Sequence, residues 1–193
     1  YVESHDNMTL VDKITASVKD AKPADIAQLS QLASSIAFLS QGMPFMQAGQ
    51  EFLRSKGGDT NSYKSSDLVN SLKWSTQSAN ASTVKYFKGL ISLRKAHPAF
   101  RMETTDQVKK NLKFLTSPEG TIAYSINGSA VKDSAATLVV VHNASTSPQS
   151  ITLPKSGSWS VLVESGRAGT TVLRKVNGNT IMVEARSTLV LTQ

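Results

Sequence analysis

The apolar residues of this chain change period once, and that change limits what it can fold into more than any single motif does. Up to about residue 97 the longest patterned stretches repeat them every three or four positions, whereas beyond Pro98 they fall into short β-like runs. A period of 3.6 buries one stripe of a helix and a period of 2 buries one face of a strand. A switch between them predicts two architectures in one chain. The expectation is an α/β part over residues 1–97 and an all-β part over residues 98–193, with the junction between 98 and 108.

The runs of the second part span 112–116, 121–126, 136–142, 150–153, 158–164, 170–174, 180–185 and 187–192. Turn signals separate them: Pro118-Glu119-Gly120, Asn127-Gly128, Ser156-Gly157 and Asn177-Gly178. Asn-Gly between alternating runs is a strong hairpin signal. Short strands at this spacing predict an antiparallel β-sandwich.

In the first part, residues 1–7 (Tyr1-Val2-Glu3-Ser4-His5-Asp6-Asn7) read as the end of a buried strand that opens into polar residues. Residues 9–18 carry Leu10, Ile14 and Val18 on one helical face. Pro23 suits the first turn of a second helix, with Asp25 placed to complement its dipole. From there Ile26, Leu29, Leu32, Ala33, Ile36, Ala37 and Leu39 keep helical spacing until Gly42, a C′ residue. Residues 43–48 are mostly apolar and read as a buried parallel strand, which makes strand, helix and strand a βαβ unit. One such unit cannot close a barrel. Residues 50–82 form a long polar loop of the kind that usually has a function. Val84, Phe87, Leu90, Ile91 and Arg94 then mark a third helix, stopped at His97-Pro98.

Composition removes several classes of function. Cysteine is absent, so disulfides, thiolate metal sites and cysteine nucleophiles are excluded. The net charge of +7 is dispersed, with Lys109-Lys110 as its densest spot and few aromatics between cations, which argues against nucleic acid. No apolar run is long enough for a membrane helix. Abundant Ser, Thr and Asn suit an extracellular or cell-surface domain, with the cytoplasm as the alternative. The chain starts inside a strand pattern with no initiator Met or leader, which reads as a piece of something longer.

Past the end of a strand in a parallel (β/α) architecture, side chains face the active-site mouth. A His5-Asp6-Asn7 triplet there offers an imidazole, a carboxylate and an amide for sugar hydroxyls and for a positively charged sugar ring. The plainer reading is a polar turn in which Asp6 caps the next helix.

The first half carries further motifs in a fixed order: Thr9-Leu10-Val11-Asp12-Lys13, Gly42-Met43-Pro44-Phe45-Met46-Gln47-Ala48-Gly49-Gln50-Glu51-Phe52-Leu53-Arg54-Ser55-Lys56, Asn61-Ser62-Tyr63-Lys64-Ser65-Ser66-Asp67, and Val69-Asn70. Together with residues 1–7 they resemble the type I pullulanases, debranching members of the α-amylase superfamily of retaining glycoside hydrolases. The second half is similar only in type, as a C-terminal β-domain. The resemblance implies that residues 1–97 are the terminal portion of a (β/α)8 TIM barrel, carrying its seventh and eighth strands. It also implies hydrolysis of α-1,6-glucosidic bonds with retention, on α-glucans such as pullulan, amylopectin or limit dextrins.

By the same resemblance, His5 and Asp6 are the transition-state-stabilising pair, with Asn7, Glu51, Asn61, Tyr63 and Asp67 binding substrate. Retaining glycosidases need a nucleophile and an acid/base about 5 Å apart. Those carboxylates belong on the fourth and fifth barrel strands, and no segment here resembles the motifs that carry them. The piece alone should be inactive and should need the N-terminal part of the barrel, as upstream sequence or as a second chain. No cofactor is implied beyond a structural calcium compatible with the full-length enzyme, and no metal loop is readable from Asp59, Asn61 and Asp67.

Plainer roles stand beside these. Glu51 could pair with Arg54, and Asn61, Tyr63 and Asp67 could merely stabilise their loop. The sequence departs from the family where Val11 replaces a common Trp and where Lys73 precedes Trp74, itself expected in the core. Four Asn-X-Ser/Thr triplets, at Asn7, Asn80, Asn127 and Asn143, read as coincidence. Isoamylase or an α-1,4-acting amylase is the rival within the superfamily. A non-catalytic carbohydrate-binding or structural β-module is the rival from another class. That rival needs exposed aromatics on the sheet, for which Trp159 and Tyr124 are the candidates. Exposed apolar faces around residues 43–48 should make the chain associate.

Overall fold

The computed structural model describes residues 1–193. Helix α1 (Leu10–Ser17) starts where Thr9 Oγ1 accepts the Asp12 N–H at 3.2 Å. Helix α2 (Pro23–Leu39) starts at the expected proline, and Asp25 Oδ2 accepts the Lys22 N–H at 3.0 Å. Its end is held from outside. Arg94, buried in the next long helix, donates from Nη1 to Phe38 O and Ser40 O, both at 2.7 Å, and from Nη2 to Gly42 O. A helix leaves its last carbonyls unsatisfied, and here one guanidinium collects three carbonyls at and just beyond that end. Gly42 has φ +86°, two residues past the Ser40 cap rather than at C′.

The loop that follows is not structureless. It contains two single 3₁₀ turns (Gln50–Phe52 and Ser62–Lys64) and two short helices, α3 (Asp67–Asn70) and α4 (Ser75–Ala79). Helix α5 (Ala81–Ala96) ends at His97-Pro98 as read. Helix α6 (Thr105–Asn111) was not expected, although Thr104 and Gln107 form a capping box that the sequence displays.

The rest is antiparallel: β1 (Leu112–Leu115), β2 (Thr121–Asn127), β3 (Thr137–Asn143), β4 (Gln149–Glu164), β5 (Arg167–Ala168), β6 (Arg174–Val183) and β7 (Ser187–Thr192). The order is β1-β2-β3-β7-β4-β5, with β6 on β4. Strand alternation divides the apolar side chains between two cores. Tyr124, Ile126, Leu138, Val140, Leu162 and Val190 face Phe38, Leu39, Phe87, Leu90 and Leu93 of α2 and α5. Their neighbours Ala123, Val139, Val141, Trp159, Val161, Leu189 and Leu191 face the other way, onto Ile151, Leu153, Ile181 and Val183. A single continuous sheet, doubled over by the length of β4 and β6, therefore makes the sandwich.

Three glycine signals mislead in this region. Runs 150–153 and 158–164 are one strand, β4, interrupted by a register shift between Thr152 and Gly157. Gly157 (φ +147°) lies opposite Gly178, inside β6, so neither Ser156-Gly157 nor Asn177-Gly178 is a hairpin turn. Bulges and turns draw on the same permissive residues, and sequence cannot separate them. Asn127-Gly128 is not a two-residue hairpin either, because a 3₁₀ turn (Ser129–Val131) intervenes before β3. Residues 170–173 are loop. Asn143 is fully buried, and its Nδ2 donates to Ser147 O, Val183 O and Glu184 O.

The largest correction concerns the α/β part. Neither residues 1–4 nor 43–48 form a strand, and Met43 is 98% exposed. The two segments nevertheless run alongside in parallel sense. Tyr1 packs edge-on to Phe45 at 5.9 Å, and the Gln47 amide, turned toward the first segment, reaches Glu3 Oε1 at 3.1 Å and Ser4 O at 2.8 Å. A parallel ladder needs neighbours that saturate slanted backbone bonds on both sides. These 193 residues offer the two segments only each other, so no barrel sheet forms within the chain.

Candidate functional site

The opening segment leaves the body of the molecule at His5. His5 and Asp6 are both well exposed, and His5 Nδ1 lies 3.0 Å from Asp6 Oδ1. Asn7 follows with φ +63°, a left-handed conformation that amide side chains tolerate, and is exposed. Asp6 does not cap the next helix; Thr9 does. Imidazole and carboxylate are therefore free to address a ligand on the open side.

Buried polar groups below fix where this triplet sits. Glu3 is buried, and its Oε2 accepts the Leu10 N–H at 2.7 Å, which joins the opening segment to the start of α1. Burial pushes the Glu3 carboxyl above its ordinary range, against the opposing pull of the Leu10 N–H and of Arg54 and Lys13. Asp12, one turn into α1, accepts the Lys56 N–H at 2.8 Å and the Ser55 hydroxyl at 2.5 Å. Lys56 Nζ in turn donates to Ser62 Oγ at 2.6 Å and to His5 O at 3.5 Å. The two segments that carry the expected sugar contacts are thus within one lysine's reach of each other.

On the Ser62 side, Asn61 is exposed and its N–H is held by Asp59 Oδ1 at 2.8 Å, while Ser65 Oγ donates to Asp59 Oδ2 at 2.5 Å. These bonds, the Ser65 one first, draw the Asp59 carboxyl below its usual value. Both of its oxygens are engaged by the loop itself. Tyr63 is 73% exposed, with Lys64 Nζ 5.2 Å from the ring centre. Asn70 braces the turn through Nδ2 to Ser62 O (2.6 Å) and Ser65 O (3.0 Å). Asp67 opens α3, exposed and without a side-chain bond.

Glu51 is half-buried. Its Oε2 accepts the Gly49 N–H at 3.0 Å, so it supports the turn in which Gly49 has φ +101°. It makes no ion pair with Arg54, whose Nη2 goes instead to Asn70 O. Trp74 is not core: it is 61% exposed, with its ring tilted against Phe52, centroids 5.6 Å apart. The two aromatics proposed as a sheet-borne platform are inaccessible. Trp159 is fully buried, and Tyr124, 6% exposed, donates its hydroxyl to Leu39 O at 3.0 Å.

Sequence reading missed Glu3, Asp12 and Lys56 as members of the site. Asp12 at the third position of α1 looks like an ordinary dipole partner, and its link to Lys56 spans 44 residues with no periodic trace.

Residues 108–167 match a family model described as the pullulanase all-beta domain. The chain is similar to a pullulanase of Bacillus subtilis strain 168, 38% identical over 164 residues, which are 85% of this chain and 23% of that protein. A solved pullulanase from Bacillus acidopullulyticus superposes with a TM-score of 0.96 at 44% identity, over 100% of this chain and 24% of that one. The type I pullulanase of Bacillus subtilis strain 168, solved in complex with maltose, superposes with a TM-score of 0.92 at 35% identity, over 100% of this chain and 27% of that one. The chain thus spans about a quarter of the length of each of these relatives.

Proposed function

The chain belongs to the pullulanase family, and from that premise we propose that it forms one wall of the α-glucan site of a starch- and pullulan-debranching glycoside hydrolase. In this reading residues 1–97 complete a (β/α)8 barrel, and residues 98–193 are the sandwich packed behind α2 and α5. The enzyme cleaves α-1,6-glucosidic bonds with retention. The nucleophile and acid/base come from the rest of the barrel.

What this wall supplies is electrostatic. Cleavage with retention passes through a flattened, positively charged sugar ring. A carboxylate at Asp6, steadied by His5 at 3.0 Å, attracts that ring more strongly than the neutral chair. Asn7, Asn61 and Asp67 offer hydroxyl partners around it, and Tyr63 offers a flat face for a neighbouring glucose unit. Glu51 acts from beneath, through the Gly49 turn. The observation that carries the reading is that His5-Asp6 and Tyr63 are exposed together, on segments joined by Lys56.

The test is a titration of the chain with maltotetraose at millimolar concentration, followed by backbone amide shifts. Residues 5–7 and 61–64 should move, and Asp6→Asn should weaken binding by about tenfold, the size of one lost charged contact near 1.4 kcal/mol. Phe114→Ser, which removes the sheet's most exposed aromatic, should change nothing. Shifts confined to the sheet, or an affinity indifferent to a His5→Ala, Asp6→Asn double variant, would sink the reading.

A further inference from the structure

The chain buries one lysine amino group that bridges the two exposed groups of the reading above without touching a sugar in it. Lys56 is 7% exposed yet takes part in none of the chain's ion pairs. Long amines are rarely buried without a carboxylate, because desolvation costs more than neutral acceptors return. The hydrogen bonds of Nζ nevertheless go to neutral acceptors, the Ser62 hydroxyl at 2.6 Å and the His5 carbonyl at 3.5 Å. The Asp59 carboxylate feels the lysine's charge without pairing with it. The backbone of the same residue is separately anchored by Asp12 at 2.8 Å.

This arrangement adds a link between the opening segment, already tied to α1 through Glu3, and the loop turn at Ser62. His5 belongs to the opening segment, Asp12 to α1 and Ser62 to the loop turn 57 residues beyond His5. The backbone anchor survives any change of the Lys56 side chain. Among the hydrogen bonds, those of Nζ are the ones that bridge His5 and Ser62 through a single side chain.

We propose that Lys56 is a positioning residue whose buried amino group locks the His5-Asp6 segment to the Asn61-Tyr63 turn, so that the two sugar contacts present themselves as one rigid surface. The proposal deepens the glucan-binding reading and rests on it for the purpose of the lock. The lock itself can be measured without sugar. Lys56 touches no ligand in this role. It sets the distance and orientation between groups that do, and a loosened pair then loses affinity through the cost of ordering two segments instead of one.

The experiment compares the chain with Lys56→Met, which keeps the stem and removes the amine, and with Ser62→Ala, which removes one acceptor. In the unsubstituted chain, Ser62→Ala should shift the amides of residues 5–7, though they are far away in sequence. In the Lys56→Met background the same substitution should leave them still. Amide hydrogen exchange at residues 5–7 and 61–64 should accelerate about tenfold in Lys56→Met, while α2, α5 and the sheet keep their protection. Lys56→Arg, which retains donors of similar reach, should restore part of that protection.

A uniform rise in exchange across the sheet would show a merely structural lysine and overturn the proposal. So would Ser62→Ala shifts at residues 5–7 that persist without the amine. Maltotetraose titration of the same samples separates the two ideas. If the unsubstituted chain binds no sugar at residues 5–7, the glucan reading fails, while the lock stands or falls on the exchange data. If it binds, Lys56→Met should weaken binding about tenfold, and an unchanged affinity would refute the lock's role in recognition.

Discussion

The sheet half and the rim half of this molecule spend their apolar residues in opposite ways. In the sheet, Trp159, Ile126, Leu138 and Leu191 are fully enclosed, and every strand finds a partner. Along the rim, Met43, Tyr1, Leu68 and Trp74 are more than half exposed, and two extended segments lie side by side without forming a ladder. The sheet closes on itself because antiparallel hairpins need only local connections, whereas parallel strands need a crossover and further neighbours. One half is a finished fold. The other is a surface whose polar frame, Glu3, Asp12, Lys56 and Ser62, is built to hold geometry rather than to fill space.

The contrast can be broken most forcefully at Trp159. Trp159→Ala removes the largest fully buried side chain and should cost about 3–5 kcal/mol, measured by urea unfolding. Tyr63→Ala on the rim should cost nothing measurable in the same assay. A comparable loss at both positions would mean that the rim is as much a packed core as the sheet. The next largest effect comes from acid. His142 is buried against Tyr124 and Thr188, and burial holds its imidazole down at about 4 from an ordinary 6.5. The unfolded chain therefore takes up that proton first. Stability is complete above pH 6.5 and falls as pH drops toward 4, by up to about 3 kcal/mol. His142→Gln should flatten this part of the pH profile, and a slope unchanged by the substitution would assign the acid sensitivity elsewhere.

The same division decides what could be read from sequence. Helices α1, α2 and α5 were legible because Thr9, Pro23 and Pro98 punctuate clear 3.6 spacing. Strands β2, β3 and β7 were legible because one face of each is buried against helices and the other against the folded sheet. Gly157 and Gly178 misled because they pair with each other beside a register shift, a pairing that exists only once the strands have met. Residues 43–48 have a strand's composition, but composition does not supply the neighbouring strand. The site divides likewise: His5, Asp6, Asn61 and Tyr63 show as motif residues, while Lys56 acquires its role from atoms of His5 and Ser62.

A smaller effect sharpens the picture at the sheet's far edge. Arg174 makes a forked contact to Glu164, with Nε at 3.1 and 3.0 Å and Nη2 at 2.5 Å from its carboxylate oxygens, and Arg167 lies 3.7 Å away. The Arg174 bonds, ahead of the opposing burial, hold the Glu164 carboxyl below its usual range. Because that value is depressed in the folded state, the pair stabilises above pH 4.5 and the benefit disappears as pH falls below it. Arg174 is well exposed, so Arg174→Ala should cost less than about 1 kcal/mol at neutral pH and nothing at acid pH. A loss that persisted in acid would point to packing by the arginine stem instead.

The smallest effect on stability is also the one that most directly tests whether the rim is a finished surface. Met43 is 98% and Phe45 53% exposed, and the ring that Phe45 packs against, that of Tyr1, is itself 78% exposed. Side chains in that state gain little from folding, so a Met43→Ser, Phe45→Ser double variant should shift stability by no more than about 0.5 kcal/mol. Its effect on association should be larger, because contiguous apolar groups on a rim are what a second surface buries. Sedimentation velocity on the unsubstituted chain should show concentration-dependent association that the double variant relieves. If the double variant instead lost several kcal/mol while the parent sedimented as a monomer, Met43 and Phe45 would be contributing to a core of this chain's own. The rim would then be as self-sufficient as the sheet.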